Sequence, residues 1–134
     1  MQEPCLIELQ KIGEEEIGYI SIAQTFANVP FEIKRVYWTY NTPESVERGN
    51  HAHIASKQLL ICLSGKIQIS LESKSRKIYE YVLDNPNVGL LIPHFYWRVL
   101  HYTKDAIGLC LSSSEYNEKD YIRDYHTFLN YSSH

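Results

Sequence analysis

Apolar residues along this chain recur in short alternating runs divided by turn residues. The cleanest run is Lys66 to Glu72, where Ile67, Ile69 and Leu71 share one face and predict a half-buried strand. Leu59 to Ser64 precedes it across Gly65, a spacing that reads as a hairpin or a bulge. Ile17 to Ala23, Lys77 to Leu83, Val88 to Ile92, Arg98 to Tyr102 and Ala106 to Ser112 are further strands, and Cys5 to Gln10 alternates weakly. Asp84-Asn85-Pro86-Asn87 is a strong turn signal. Phe31 to Tyr40 is the longest early candidate, with Pro30 fixing its start. On it Ile33, Arg35, Tyr37 and Thr39 share one face, and Val36 and Trp38 the other. Strands at this spacing predict an all-β sandwich or barrel. From Asp120 onward Tyr121, Tyr125, Phe128 and Leu129 recur at helical spacing, which predicts a short C-terminal helix or turn packed on the barrel. No interior linker, repeat or low-complexity stretch appears, so residues 1–134 read as a single domain.

Charge narrows the partners. A net charge of −3 gives no electrostatic reason to expect nucleic acid or an anionic membrane. No run of eighteen apolar residues exists to span a bilayer. Met1-Gln2-Glu3-Pro4 lacks the basic and apolar regions of a signal peptide, so a cytoplasmic protein is expected. The three cysteines are distant in sequence, and Cys62 and Cys110 lie in apolar runs, which predicts buried free thiols. Eleven tyrosines against four phenylalanines supply aromatic area with hydroxyl tips, a composition useful at ligand sites and subunit interfaces.

The candidate chemistry centres on Arg48-Gly49-Asn50-His51-Ala52-His53, followed by Gln58 and Gly65. On a strand, His51 and His53 point to the same side and place two imidazoles together. The pattern H-x-H-x4-Q-x6-G resembles the first signature of the cupin barrels, except that metal-binding cupins carry a carboxylate where Gln58 stands. Their second signature, P-x-G-x2-H, reads Pro93-His94-Phe95-Tyr96-Trp97-Arg98 here, with Arg98 in place of the third histidine. A guanidinium stays protonated and cannot ligate a metal. A neutral amide and a fixed cation beside two imidazoles make a poor divalent site, so no metal is expected.

Without a metal, the histidines are free to move protons near neutrality. Arg48 and Arg98 would favour neutral imidazoles and attract an anionic ligand or stabilise an oxyanion. Tyr37 can donate its phenolic proton to a developing alkoxide, or serve only as a packed aromatic with a wet tip. Trp97, beside Arg98, can stack on a sugar or a base, or belong to the core.

These pieces together resemble the dTDP-sugar 3,4-ketoisomerases, small WxcM-like cupins of deoxysugar biosynthesis. The likeness is carried by residues 33–37, 48–53, Gln58 with 61–65, 88–93, Tyr96-Trp97-Arg98 and 116–125, and spans about residues 5 to 130. It implies a jelly-roll cupin barrel with no cofactor, and a homodimer with exchanged N-terminal strands. The implied substrate is dTDP-4-oxo-6-deoxy-glucose, whose carbonyl would move from C4 to C3. An aminotransferase would then make a 3-amino-3,6-dideoxy sugar for glycan assembly. In that setting His51 is the first choice as base, His53 shares the shuttle or orients its partner, and Tyr37 exchanges protons at the oxygens. Arg48 and Arg98 would hold the oxyanion or the diphosphate, with Arg35 and Trp97 as further ligand contacts. Competing readings are a nucleotide-sugar epimerase of related type, a non-catalytic nucleotide-sugar-binding cupin, and a metal-dependent oxygenase.

Overall fold

The alternating runs become strands of two facing antiparallel sheets, seen in a computed structural model that describes residues 2–132. The first half of the chain supplies β1 (Cys5–Glu8), β2 (Gln10–Glu14), β3 (Gly18–Ile22), β4 (Arg35–Thr39), β5 (Glu47–His53) and β6 (Gln58–Ser64). The second half supplies β7 (Ile67–Glu72), β8 (Ile78–Leu83), β9 (Val88–Ile92), β10 (Trp97–Tyr102), β11 (Ile107–Ser112), β12 (Tyr121–Ile122) and the helix α1 (Tyr125–Asn130). One sheet has the order β1-β9-β6-β11-β4 and the other β12-β5-β10-β7-β8, while β2 and β3 form a separate hairpin. This is the all-β jelly-roll barrel with a short C-terminal helix that the pattern and the resemblance imply.

The core lies between the inner faces. Leu60, Cys62, Leu90, Ile92 and Cys110 from one sheet meet Ile67, Ile69, Leu71, Leu100 and Tyr102 from the other. Each fully buried aliphatic side chain contributes roughly 1.5–3 kcal/mol. A second cluster covers the outer face of the first sheet, where Leu9, Val29 and Phe31 pack on Leu59, Ile61, Leu91 and Leu111. The third, Ala52, Phe95, Trp97, Ile122 and Phe128, seats α1 on the outside of the second sheet.

Three local expectations change. Gly65 makes no hairpin, because β6 pairs with β9 and β11 whereas β7 pairs with β8 and β10. The chain crosses between sheets there, with Gly65 at φ +71 and its Cα so near Ala106 that a Cβ would lie 2.7 Å from the Ala106 Cα. The irregularity sits two residues earlier, where Ser64 faces Ile107 and Cys62 faces Gly108, leaving Leu63 unpaired. Ile33 leaves the Arg35 face and packs against the outer cluster, since β4 begins only at Arg35 and strand parity does not reach back to it. Tyr121 belongs to a strand: Tyr121 and Ile122 pair with His53 and Ala52 before α1 begins. Asp124 caps that helix by accepting from the Thr127 N–H at 2.8 Å. At the other end Lys74 Nζ donates to the carbonyls of Phe128 (2.6 Å), Leu129 (3.2 Å) and Tyr131 (2.6 Å).

Candidate active site

A fault in β5 builds the site. Arg48 and His51 are three apart, so a regular strand would send them to opposite faces. In β5, His51 faces Arg98 of β10 but Gly49 faces Val99, so Asn50 is an extra residue. Gly49 (φ 89) and Asn50 (φ 54) both take left-handed backbone, the signature of a bulge. At Gly49 a Cβ would come within 2.7 Å of the Arg98 carbonyl oxygen, so only glycine lets the strands approach here. The bulge turns Arg48 and His51 to the same cavity.

The inner end of that cavity, about 80 Å³, is lined by Tyr37, Arg48, His51, Gln58, Arg98 and Cys110, with Leu60, Ile92 and Leu100 below. It opens into a mouth of about 550 Å³ bounded by Arg35, Arg48, Tyr116, Tyr121 and Arg123. Tyr37 and His51 line both. Arg123 is paired with Glu118, whose other partner is the Tyr116 hydroxyl. Its guanidinium lies over the Tyr121 ring, 4.2 Å from the centroid.

The His51 ring is held in one tautomer. Its Nδ1 lies 3.0 Å from the Gly49 carbonyl oxygen, which can only accept. Nδ1 therefore carries the hydrogen, and in the neutral ring Nε2 keeps its lone pair. Burial, then the nearby Arg98 charge, lowers the His51 pKa from 6.5 to about 4, so the ring is neutral at pH 7. The same bulge that aims the ring supplies the carbonyl that sets its tautomer.

Arg98 is the buried cation of the site, 3% exposed. It donates from one terminal nitrogen to Gln58 Oε1 and from the other to the Tyr96 carbonyl oxygen at 3.4 Å, and its Nε has no partner. Gln58 in turn donates from Nε2 to the Tyr37 hydroxyl at 3.1 Å. Tyr37 as a residue is 36% exposed and lines both the inner cavity and its mouth. Burial and the neighbouring Cys110 thiol push its pKa well above the usual phenol value, so Tyr37 stays protonated.

His53 is brought next to His51, with ring centroids 4.9 Å apart, but it does not line the cavity. It is 0% exposed, and Tyr121 packs against both imidazoles at 4.4 and 5.1 Å. Its Nδ1 is 2.9 Å from Asp120 Oδ2. The same oxygen accepts from the Ser56 hydroxyl, and Oδ1 accepts from the Ala55 N–H at 2.7 Å. Burial, Arg98 and His51 lower the His53 pKa to about 3 against the opposing pull of Asp120. Burial works against the Asp120 charge, but the bonds from Ser56, Ala55 and His53 outweigh it and hold its pKa below the usual range.

Trp97 corrects the sequence expectation of a ligand contact. It follows strand parity away from Arg98 and packs outside the barrel against Tyr125 and Phe128, at 5.4 and 5.8 Å between ring centroids. Arg35 is at the mouth, its guanidinium 3.3 Å from the Ser112 hydroxyl and 3.5 Å from the Tyr121 hydroxyl. Residues that sequence reasoning gave no role are Tyr116, Asp120, Tyr121 and Arg123, all on the segment before α1. A two-residue strand has no period to read, and helical spacing masked it. Among the described residues, no three His, Cys, Asp or Glu side chains converge as a metal site would need. No described helix is long and apolar enough to cross a membrane.

Comparison with known proteins adds a family. A family model described as FdtA: WxcM-like, C-terminal matches residues 2–133. The TDP-4-oxo-6-deoxy-alpha-D-glucose-3,4-oxoisomerase of Aneurinibacillus thermoaerophilus is 36% identical over 130 residues, covering 96% of this chain and 92% of that protein. Among solved structures, QdtA, a sugar 3,4-ketoisomerase from Thermoanaerobacterium thermosaccharolyticum in complex with TDP, superposes with a TM-score of 0.90 at 33% identity, covering 95% of this chain and 92% of that one. A 3,4-ketoisomerase from Helicobacter canadensis superposes with a TM-score of 0.89 at 34% identity, covering 96% of each chain.

Proposed function

The chain belongs to the FdtA (WxcM-like, C-terminal) family, and from that premise we propose that it is a TDP-sugar 3,4-ketoisomerase whose base is His51. It converts dTDP-4-oxo-6-deoxy-glucose to the 3-oxo isomer. The observation that carries this reading is the His51 imidazole, tied through Nδ1 to the Gly49 carbonyl, with Nε2 as its free nitrogen in a cavity that also holds a buried cation.

The C4 carbonyl acidifies the hydrogen on C3. His51 Nε2 removes it, and Arg98 stabilises the negative charge that develops on the C4 oxygen on the way to the enediol. Tyr37 exchanges protons with the C3 and C4 oxygens, and return of a proton to C4 leaves the carbonyl at C3. His53 orients His51 from behind. Arg48 at the inner wall and Arg35 and Arg123 at the mouth meet the diphosphate, with Tyr116 and Tyr121 as aromatic surface beside it. No metal or redox cofactor is required, because the carbonyl migrates by proton transfers alone.

The product feeds an aminotransferase that installs a 3-amino group for glycan assembly in the cytoplasm. The working unit is a homodimer with exchanged N-terminal strands. The β2–β3 hairpin supports this, since Ile12, Tyr19 and Ile20 on it and Ile17 in its turn are 50–78% exposed. Light scattering is expected to give twice the chain mass.

The deciding experiment is incubation with dTDP-4-oxo-6-deoxy-glucose in deuterated water, followed by NMR. The expected product has its carbonyl at C3 and deuterium at C4. A carbonyl that stays at C4 while deuterium enters C3 would instead identify an epimerase. Binding with no deuterium in the sugar would identify a non-catalytic module.

A further inference from the structure

Gln58 occupies the position of a metal-binding carboxylate in other cupins, is 1% exposed, and spends both ends of its amide inside the site. We infer that Gln58 is a positioning residue that forces the Tyr37 hydrogen toward the sugar oxygens. This rests on the ketoisomerase reading above.

The orientation follows from donor and acceptor capacity. A guanidinium only donates, so the Gln58 atom facing Arg98 is Oε1. The atom facing Tyr37 is then Nε2, which can only donate, and the Tyr37 oxygen accepts from it at 3.1 Å. The single phenolic hydrogen cannot point at Gln58. The hydroxyl also meets the Cys110 thiol, a weak acceptor that a sugar oxygen displaces. A carboxylate at this position would accept the phenolic hydrogen and turn it away from the cavity. Glutamine therefore does more than abolish a metal ligand: it sets the direction of a hydrogen bond.

The reaction uses that direction twice. As His51 Nε2 takes the hydrogen from C3, the electron pair of that bond forms the C3–C4 double bond, and the C4 oxygen takes the Tyr37 proton. The phenolate is held by the Gln58 N–H, which the Arg98 charge polarises from the far side. Tyr37 then recovers a proton from the C3 hydroxyl while the His51 imidazolium, its proton exchanged with solvent, protonates C4. The C3 carbonyl forms, both residues end as they began, and no oxidant or reductant enters.

The test is Gln58→Glu, nearly isosteric and still paired with Arg98, assayed with a chelator present. The expected result is a kcat lower by about 100-fold with KM for the sugar nucleotide within about threefold. In a Tyr37→Phe background the same change is expected to cost no further activity, because the hydrogen it redirects is gone. Gln58→Met, which removes the donor without reversing it, is expected to fall between, and serves as the test if Gln58→Glu does not fold by circular dichroism. Unchanged kcat in Gln58→Glu, or losses that multiply with Tyr37→Phe, would overturn the inference while an active wild type preserved the functional reading. A wild type inert toward the sugar would overturn both.

Discussion

The two imidazoles of the His-x-His pair share a strand face and a depressed pKa, yet they belong to different regions: His51 is half-buried and His53 fully buried. His51 lines the cavity, and His53 lies in the wall behind it. The partners account for the difference. His51 gives its Nδ1 hydrogen to a neutral carbonyl and keeps Nε2 at the cavity, whereas His53 is pinned to an ionised Asp120 that Ser56 and Ala55 also hold. His53 is held from its Nδ1 side only, and its buried Nε2 has no hydrogen-bond partner among the described residues. Two residues along one strand separate the cavity surface from the wall behind it.

The sharpest way to break that comparison is to alter each histidine in turn. His51→Asn is expected to lower kcat by about 1,000-fold or more, near the upper part of what a positioned acid or base supplies. TDP affinity, measured by calorimetry, is expected to change only a few-fold. His53→Asn, whose amide can still donate to Asp120, is expected to lower kcat by only about 10-fold. Equal losses in the two variants would erase the distinction between cavity and rear wall.

Trp97 extends the contrast to the next strand. It neighbours Arg98 in sequence but faces the opposite way, into the cluster under α1. Trp97→Ala is expected to cost about 3–5 kcal/mol of unfolding free energy in denaturant titration. Its KM for the sugar nucleotide is expected to move less than twofold. A large rise in KM with little loss of stability would return Trp97 to the ligand site.

How much of this was readable beforehand follows from how each element stores its information. The alternation at Ile67, Ile69 and Leu71 gave both the strand and its buried face, because a period of two survives in any register. The same parity grouped Arg35, Tyr37 and Thr39 correctly but wrongly added Ile33, which precedes the paired residues and packs on the outer cluster. It also could not join Arg48 to His51, since their shared orientation depends on the extra residue at Asn50. A Gly-Asn pair inside a strand is a signal for such a bulge. Asp120 was legible only as part of the segment that carried the family resemblance. Its partner His53 is 67 positions away, and a contact at that separation leaves no local pattern.

The rear wall can be probed on its own through Asp120. Asp120→Ala removes the acceptor for His53, Ser56 and the Ala55 N–H together. Bonds to a charged acceptor contribute about 1.5–3 kcal/mol each, but they share one carboxylate, so a total near 3 kcal/mol is expected in thermal or denaturant unfolding. Because the cavity residues themselves stay in place, kcat is expected to fall about 10-fold, similar to His53→Asn. A loss matching His51→Asn would mean that Asp120 acts on the reacting atoms rather than through His53.

Acid sensitivity separates stability from activity. Both histidine pKa values are lowered on folding, from 6.5 to about 4 at His51 and about 3 at His53. Between pH 6.5 and those values the unfolded chain binds protons that the folded chain refuses. Stability must therefore fall as pH drops from 6.5 toward 4, by on the order of 1 kcal/mol per pH unit for each histidine. Asp120 adds its own loss only at lower pH, because its folded pKa lies below the usual carboxylate range. Activity should follow a different course. His51 stays neutral to about pH 4, so kcat/KM is expected to run flat through 6.5 and to fall only at the acidic edge of folding. In His53→Asn the stability slope between pH 6.5 and 4 is expected to halve while the activity profile keeps its shape. An activity inflection near 6.5 in the wild type would show that the His51 proton equilibrium is that of an ordinary solvated imidazole, and the buried-base account would fail with it.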